Sequence, residues 1–204
     1  MSRFASVCVL VAALTLGTSA AQAEILTSRA RILMSGTHAL VPDETLSLSG
    51  LAILDSADSA DPIFFGYMAV DWVPKDWLIL EGAVGYLIDT QEVWLAPQVG
   101  FDWGWGEAWV DTEVSHAGSL YYSGHARWKQ IGWLTAGLSF EGWWLQKPAE
   151  TQSHGGGIQI GFKLFDLVMA PSIHLRWNDG VLGADFLLKV ELRFGPHPIK
   201  DERL

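Results

Sequence analysis

The chain has 204 residues, half of them apolar and only 18% charged, with 13 basic and 23 acidic side chains and a formal net charge of −10. Soluble domains carry about 25% charged residues, so the chain is apolar for its length; yet beyond its first residues no run approaches the roughly 18 uninterrupted apolar positions of a spanning helix. The acidic balance argues against nucleic acid as a partner, and a single cysteine, Cys8, excludes an internal disulfide framework.

Arg3 precedes an apolar run from Phe4 to Leu16, and Ala21-Gln22-Ala23 fits a small-x-small cleavage site. A basic residue, a short apolar run and small residues in that order predict a cleavable export leader over residues 1–23. The run is too short to span a bilayer comfortably. Without Arg3 the remainder carries 12 basic and 23 acidic residues, a net charge of −11. Cys8 falls inside the leader and follows Val7 instead of a small residue, so lipidation is not expected and the exported chain has no thiol. Its length suits one domain. An exported domain without disulfides needs another constraint, which a closed hydrogen-bonded sheet supplies.

Residues 24–45 hold a strand-like stretch, Arg31–Val41, readable as an N-terminal arm, a strand inserted inside the fold, an extra strand, or a sign that one later segment is wrongly split in two. From Leu46 to Phe194 about ten segments alternate with period two, which puts neighbouring side chains on opposite faces of a sheet. Phe64, Met68, Val70 and Trp72 alternate with Tyr67 and Asp71; Ile158, Ile160, Phe162 and Leu164 alternate with Gln159 and Lys163. The last segment is clearest, with Phe186, Leu188, Val190, Leu192 and Phe194 on one face and Leu187, Lys189, Glu191 and Arg193 on the other. The breaks are short: Pro74–Asp76, Asp89–Gln91, Gly104–Gly106, Ala117–Gly118, Lys129–Gln130, Phe165–Asp166 and Asn178–Gly180, the last containing the strong hairpin signal Asp-Gly. Longer connections fall near Asp55–Pro62 and Lys147–Gly155, and Gly155-Gly156-Gly157 reads as a flexible entry to the strand after it.

On these residues the chain from Glu24 onward resembles a small bacterial outer-membrane β-barrel protein with an aromatic last strand ending at Phe194. It departs from that pattern in continuing as a polar tail, Gly195–Leu204. The resemblance implies an all-β fold: an antiparallel up-and-down transmembrane barrel over residues 46–194, of about ten strands, with eight to twelve compatible and an even number usual. It also implies outer-membrane lipid as the surroundings, the barrel-assembly machinery as a partner during insertion, and a last strand ending on the periplasmic side. Aromatics then flank the periplasmic turns: Trp72 and Trp77, Trp103 and Trp105, Trp128 and Trp133, Phe162 and Phe165, with Phe194. Tyr86, Trp94, Tyr122, Trp144 and Trp177 would stand near the outer interface. Val190 is assigned to lipid near mid-membrane and Lys189 to the lumen.

The inward positions divide by charge. Earlier strands supply Asp71, Glu81, Asp102, Asp111 and Glu113; later strands supply His125, Arg127, Lys163, His174, Arg176, Lys189 and Arg193, interrupted by Glu141 and Glu191. Rolled up, this makes an acidic wall facing a mainly basic one. A salt-bridge network that fills the lumen is favoured over an open pore, since a barrel of this size is narrow inside. The function expected is structural, or a narrow and weakly cation-preferring passive channel for small solutes. The alternative is a lipid-modifying acyl-transfer or deacylase enzyme using Ser115, His116 and Ser119, with His154 and Asp179 at the same end. Ser115 and His116 point to opposite faces, however, and no nucleophile motif surrounds them, so no catalytic centre is expected. The six histidines lack metal-ligand spacing, so neither metal nor cofactor is expected. The tail, with Lys200, Asp201, Glu202 and Arg203, is placed to contact a periplasmic partner.

Overall fold

The computed structural model describes residues 26–56, 63–88, 90–146 and 151–194. The expected leader and C-terminal tail lie outside these residues. The chain forms eleven strands: β1 (Leu26–Ala39), β2 (Leu46–Ser56), β3 (Ile63–Lys75), β4 (Leu78–Leu87), β5 (Glu92–Asp102), β6 (Gly106–Ser115), β7 (Leu120–Ile131), β8 (Leu134–Leu145), β9 (Thr151–Leu164), β10 (Leu167–Asn178) and β11 (Val181–Phe194). Each pairs antiparallel with its sequence neighbour, and β1 closes the barrel by pairing parallel with β11, from Leu26 opposite Ala184 to Gly36 opposite Phe194. Below, the end where β11 stops is the lower end, and the end where β1 begins is the upper.

The eleven strands fall within the expected eight to twelve, but the number is odd. The stretch readable as arm, internal strand or extra strand forms a wall strand, β1. Closure with an odd count forces the parallel pair, so β1 starts and β11 ends at opposite mouths. The register is strongly staggered. A row traced from Ala39 through Ser47, Asp71, Glu81, Gln98, Asp111, Ser123, Glu141, Gly155 and Arg176 to Gly183 returns to β1 beside Leu26, the strand's other end. Such stagger tilts the strands and widens the interior.

Alternation sets the two faces. Outward positions carry Met68, Val84, Leu95, Leu138, Ile158, Ile173 and Leu175, each more than half exposed. Away from the strand ends, no outward position of a described strand is Asp, Glu, Lys or Arg; Lys75, the last residue of β3, is the nearest exception. The outer aromatics gather in two rings. Trp72, Trp77, Trp103, Trp105, Trp128, Trp133, Phe165 and Phe194 are exposed at the lower end, with Phe162 stacked on Trp133 at 6.2 Å. Tyr86, Trp144 and Trp177 are exposed at the upper end, where Tyr122, His154 and Trp177 stack in turn at 6.0 Å.

Four details differ from the expectations. Trp94 faces inward and is 3% exposed, because Val93 and Leu95 on either side of it face out. Val190 occupies an outward position between Ile32 and Met169 but is only 6% exposed. The β7–β8 turn is Gly132–Trp133, two residues beyond Lys129–Gln130. Gly155-Gly156-Gly157 lies within β9 and is not an entry to it. There Gly155 stands between Glu141 and Arg176 in the register, and a Cβ on it would lie 3.3 Å from the Arg176 guanidinium carbon, so its bareness makes room for that side chain. The Asp179-Gly180 hairpin is as expected: both residues have positive φ, 44° and 91°, as a tight hairpin turn requires.

Candidate functional site: the barrel interior

The upper half of the interior is spanned by a charged network on one side. Glu141 of β8 accepts hydrogen bonds from three guanidiniums: Arg29 at 2.7 Å, Arg31 at 2.8 Å and Arg176 at 3.2 Å. Asp185 of β11 joins Arg29 at 2.7 Å to Arg176 at 2.9 Å, Arg31 also binds Asp55 of β2, and the Tyr121 hydroxyl donates to Glu141 at 3.0 Å. Trp143 lies beneath both Arg29 and Arg176, whose guanidinium carbons are 5.4 and 4.7 Å from its ring centroid. Three cations meet three carboxylates, and Glu141 and Asp185 are at most 1% exposed. Planar guanidiniums suit this junction because each serves two or more carboxylates in fixed directions.

The other side of the same half is apolar. Tyr67, Ala69, Ala83, Leu87, Trp94 and Ala96 pack together from β3, β4 and β5, with Leu51, Ile53, Ile63, Phe65 and Leu145 against them. Tyr67 lies over Gly85, where a Cβ would collide with its ring, and this close approach lets its hydroxyl reach Glu113 of β6. Charged network and apolar cluster stand on opposite sides of the upper interior, and Arg31 and Tyr121 from the one and Leu51, Ile53, Tyr67 and Ala69 from the other also line a cavity below.

The lower half is different. Below the network is a cavity of about 230 Å³ that reaches the lower mouth at Thr37, Glu107 and Arg193. On one side Asp71, Glu81, Gln98 and Asp111 are successive partners in one register row, with Glu113 beside Asp111 on β6. Ser47 and Ser49 donate to Asp71 at 3.3 and 3.2 Å. None of these four carboxyl groups has a cation within salt-bridge distance among the described residues. Lys189 and Gln159 line the cavity from β11 and β9. Gln159 is 4% exposed, and among the described residues its Oε1 has no hydrogen-bond partner, nor has Asp111 Oδ1.

Near the lower rim the charges pair locally. Arg127 binds Glu107, with His125 3.6 Å from the same carboxylate; Lys129 lies 3.2 Å from Asp102; Arg193 lies 2.9 Å from Glu191. Lys163 is on the same rim, next to Val168 in the register. The expected acidic-to-basic neutralisation therefore takes another form. Arg127, Lys129, Arg176 and Arg193 of the later strands and Arg29 and Arg31 of β1 pair with other carboxylates, while Asp71, Glu81, Asp111 and Glu113 of β3, β4 and β6 are left facing the cavity, which Lys189 also lines. Arg29, Arg31, Asp55, Glu107 and Asp185 had not been singled out. Arg29 and Arg31 alternate with Ala30 and Ile32, the signal that would have marked β1 as a wall strand.

The residues considered for acyl transfer are engaged structurally. Ser115 and Ser119 are buried, and Ser115 Oγ accepts from the backbone N–H groups of Ala117 and Ser119, at 3.2 and 3.0 Å, closing the turn. His116 Nδ1 accepts the Val93 N–H. A different pair, Ser139 Oγ and His174 Nε2, lies at 2.7 Å inside the barrel. Its histidine Nδ1 has no partner, and Asp185, next to His174 in the register, is held by two arginines. Among the described residues this serine–histidine pair has no orienting carboxylate at its Nδ1, and it faces the interior of the barrel. Among the described residues no cluster of His, Cys, Asp or Glu is arranged to hold a metal ion. Compared with known proteins, the chain matches no family model, no curated protein and no solved structure.

Proposed function

We propose that this chain is an outer-membrane barrel with an internally closed lumen: a structural barrel with a blind vestibule at its lower end, and no through-channel for solutes. The observation that carries the closed lumen is the Arg29–Glu141–Asp185–Arg176 junction, which ties β1, β8, β10 and β11 together across the interior. The membrane setting is supported by the outer face. It is apolar and uncharged between its ends and is bounded by aromatics at both, which is how a barrel meets hydrocarbon and two headgroup regions. A water-facing barrel would place charge somewhere on that band.

Single-cysteine variants test the setting, since Cys8 falls in the expected leader. A cysteine at Ile158 should resist a water-soluble maleimide in isolated outer membranes, react with a lipid-soluble reagent, and become accessible to the water-soluble one only after detergent denaturation. Ready labelling of folded Ile158→Cys by the water-soluble reagent, or recovery of the protein in a membrane-free fraction, would contradict the proposal.

A further inference from the structure

We propose that the wall opens sideways between β9 and β10, and that an acyl chain of the surrounding bilayer enters the lower cavity there. The inference rests on the membrane setting proposed above. The β9–β10 ladder pairs Met169 with Phe162 and resumes at Ser172 with Gln159 in the same register, leaving Ala170 and Pro171 unpaired with Gly161 and Ile160 opposite them. Pro171 has no N–H to give, so the Ile160 carbonyl opposite it lacks its ladder donor. The register does not slip, so the gap is not a bulge, and proline inside a strand is otherwise confined to edges and bulges. β5–β6 has a matching gap at Pro97, between the pairs Leu95–Val114 and Gln98–Asp111. Among the described residues no other ladder breaks without a shift in register.

What stands at each gap favours β9–β10. Its inward pair is Gly161 and Ala170, which bring no long side chain. The β5–β6 gap is instead backed by Ala96, wholly buried in the apolar cluster, and by Glu113, held by the Tyr67 hydroxyl. The closed β9–β10 wall is also short of hydrogen bonds. Gln159 Oε1, next to Ile160, and Thr135 Oγ1, opposite Gly161, are sealed in it and have no partner among the described residues. An underbonded seam costs less to part than a complete ladder. Behind the seam Val168 and Ala170 line the cavity, with Leu33 of β1 on the far side of Glu191. Outside, the seam lies beside the exposed Ile158 and Ile160 and between the two aromatic rings, a depth at which hydrocarbon chains are the neighbours.

The test uses the purified barrel in phosphatidylcholine vesicles that contain a phosphatidylcholine with a maleimide at the end of one acyl chain. Ala170→Cys should be labelled, and faster than Ala69→Cys, which lines the same cavity from β3, where the ladders on both sides are unbroken. Adding Pro171→Val restores one hydrogen bond and should slow labelling of Ala170→Cys roughly fivefold. Adding Pro97→Val should leave it unchanged. Heat-modifiable gel mobility confirms each fold, and a water-soluble maleimide after denaturation confirms each thiol. No labelling of Ala170→Cys, labelling of Ala69→Cys at the same rate, no slowing by Pro171→Val, or equal slowing by Pro97→Val overturns the proposal. Ile158→Cys, on the outer face, separates it from the membrane reading. A labelled Ile158→Cys beside an unlabelled Ala170→Cys removes the sideways opening and keeps the membrane setting; an unlabelled Ile158→Cys removes both.

Discussion

Arg29 of β1 and Glu141 of β8 meet at 2.7 Å across the barrel interior, although β9, β10 and β11 stand between them on the shorter way round the wall. The contact is a chord across the lumen. Because Glu141 also holds Arg31 and Arg176, its loss would leave three buried guanidiniums with only Asp185 and Asp55 as carboxylate partners. Removing one partner of a buried pair typically costs about 3–5 kcal/mol, even where the intact pair contributes little net stability. Glu141→Ala should therefore destabilise the folded barrel by several kcal/mol. Arg193→Ala, which breaks the more exposed pair with Glu191 at the rim, should cost under about 1 kcal/mol. Urea unfolding in detergent, followed by tryptophan fluorescence, measures both; equal losses would mean that the network is not the structural centre.

The outer face yields a second expectation. Ile158 is 61% exposed and lies midway along β9. An arginine there should cost roughly 2–4 kcal/mol of membrane stability, falling toward about 0–1 near the interfaces. Ile158→Arg should thus impair assembly far more than Leu182→Arg at the upper end, as read by heat-modifiable mobility of membrane fractions. Indistinguishable assembly of the two would remove the case for hydrocarbon at mid-barrel.

Much of this face was legible in the sequence, because period-two alternation reports which way a side chain points. Trp94 shows the rule outweighing the residue type: an aromatic side chain suggested the outer ring, yet Val93 and Leu95 already placed it inside. Alternation does not report height. Whether Asp111 meets Arg176 or faces a cavity depends on stagger and tilt, set by closure of all eleven strands. The open role of β1 carried the rest with it. With Leu26–Ala39 left undecided, Arg29 and Arg31 were missing from the interior, and Glu141 and Arg176 had no visible reason to meet. Asp185 was missed because the clearest alternation was read from Phe186 onward.

Gly85 supplies a test of interior packing. The Tyr67 ring occupies the space a side chain there would need, whereas a Cβ at Gly82, three residues away on the same strand but on the outer face, meets nothing within 4 Å. Gly85→Val should destabilise by about 1–3 kcal/mol, the usual cost of overpacking, with part of the loss recovered in Tyr67→Ala/Gly85→Val. Gly82→Ala should be close to neutral. Unfolding midpoints of the four proteins decide this, and a harmless Gly85→Val would show that Tyr67 does not hold its position over β4.

Hairpin ends make the topology testable. The Asp179–Gly180 turn lies at the upper end, and the Phe165–Asp166 turn lies at the lower. An epitope inserted at Asp179–Gly180 should be reached by antibody on intact cells, and one at Phe165–Asp166 only after the outer membrane is permeabilised. The reverse labelling would invert the orientation that the resemblance implies and open the vestibule outward.

The closed lumen is the central claim, and planar-bilayer recording of the purified barrel tests it most directly. Wild type should insert with little or no stepwise conductance, and Arg29→Ala/Glu141→Ala/Arg176→Ala, where it folds, should show new or larger steps because the chord across the upper half is gone. Large, stable steps from the wild-type barrel, unchanged in that variant, would contradict a lumen closed by Arg29, Glu141, Asp185 and Arg176.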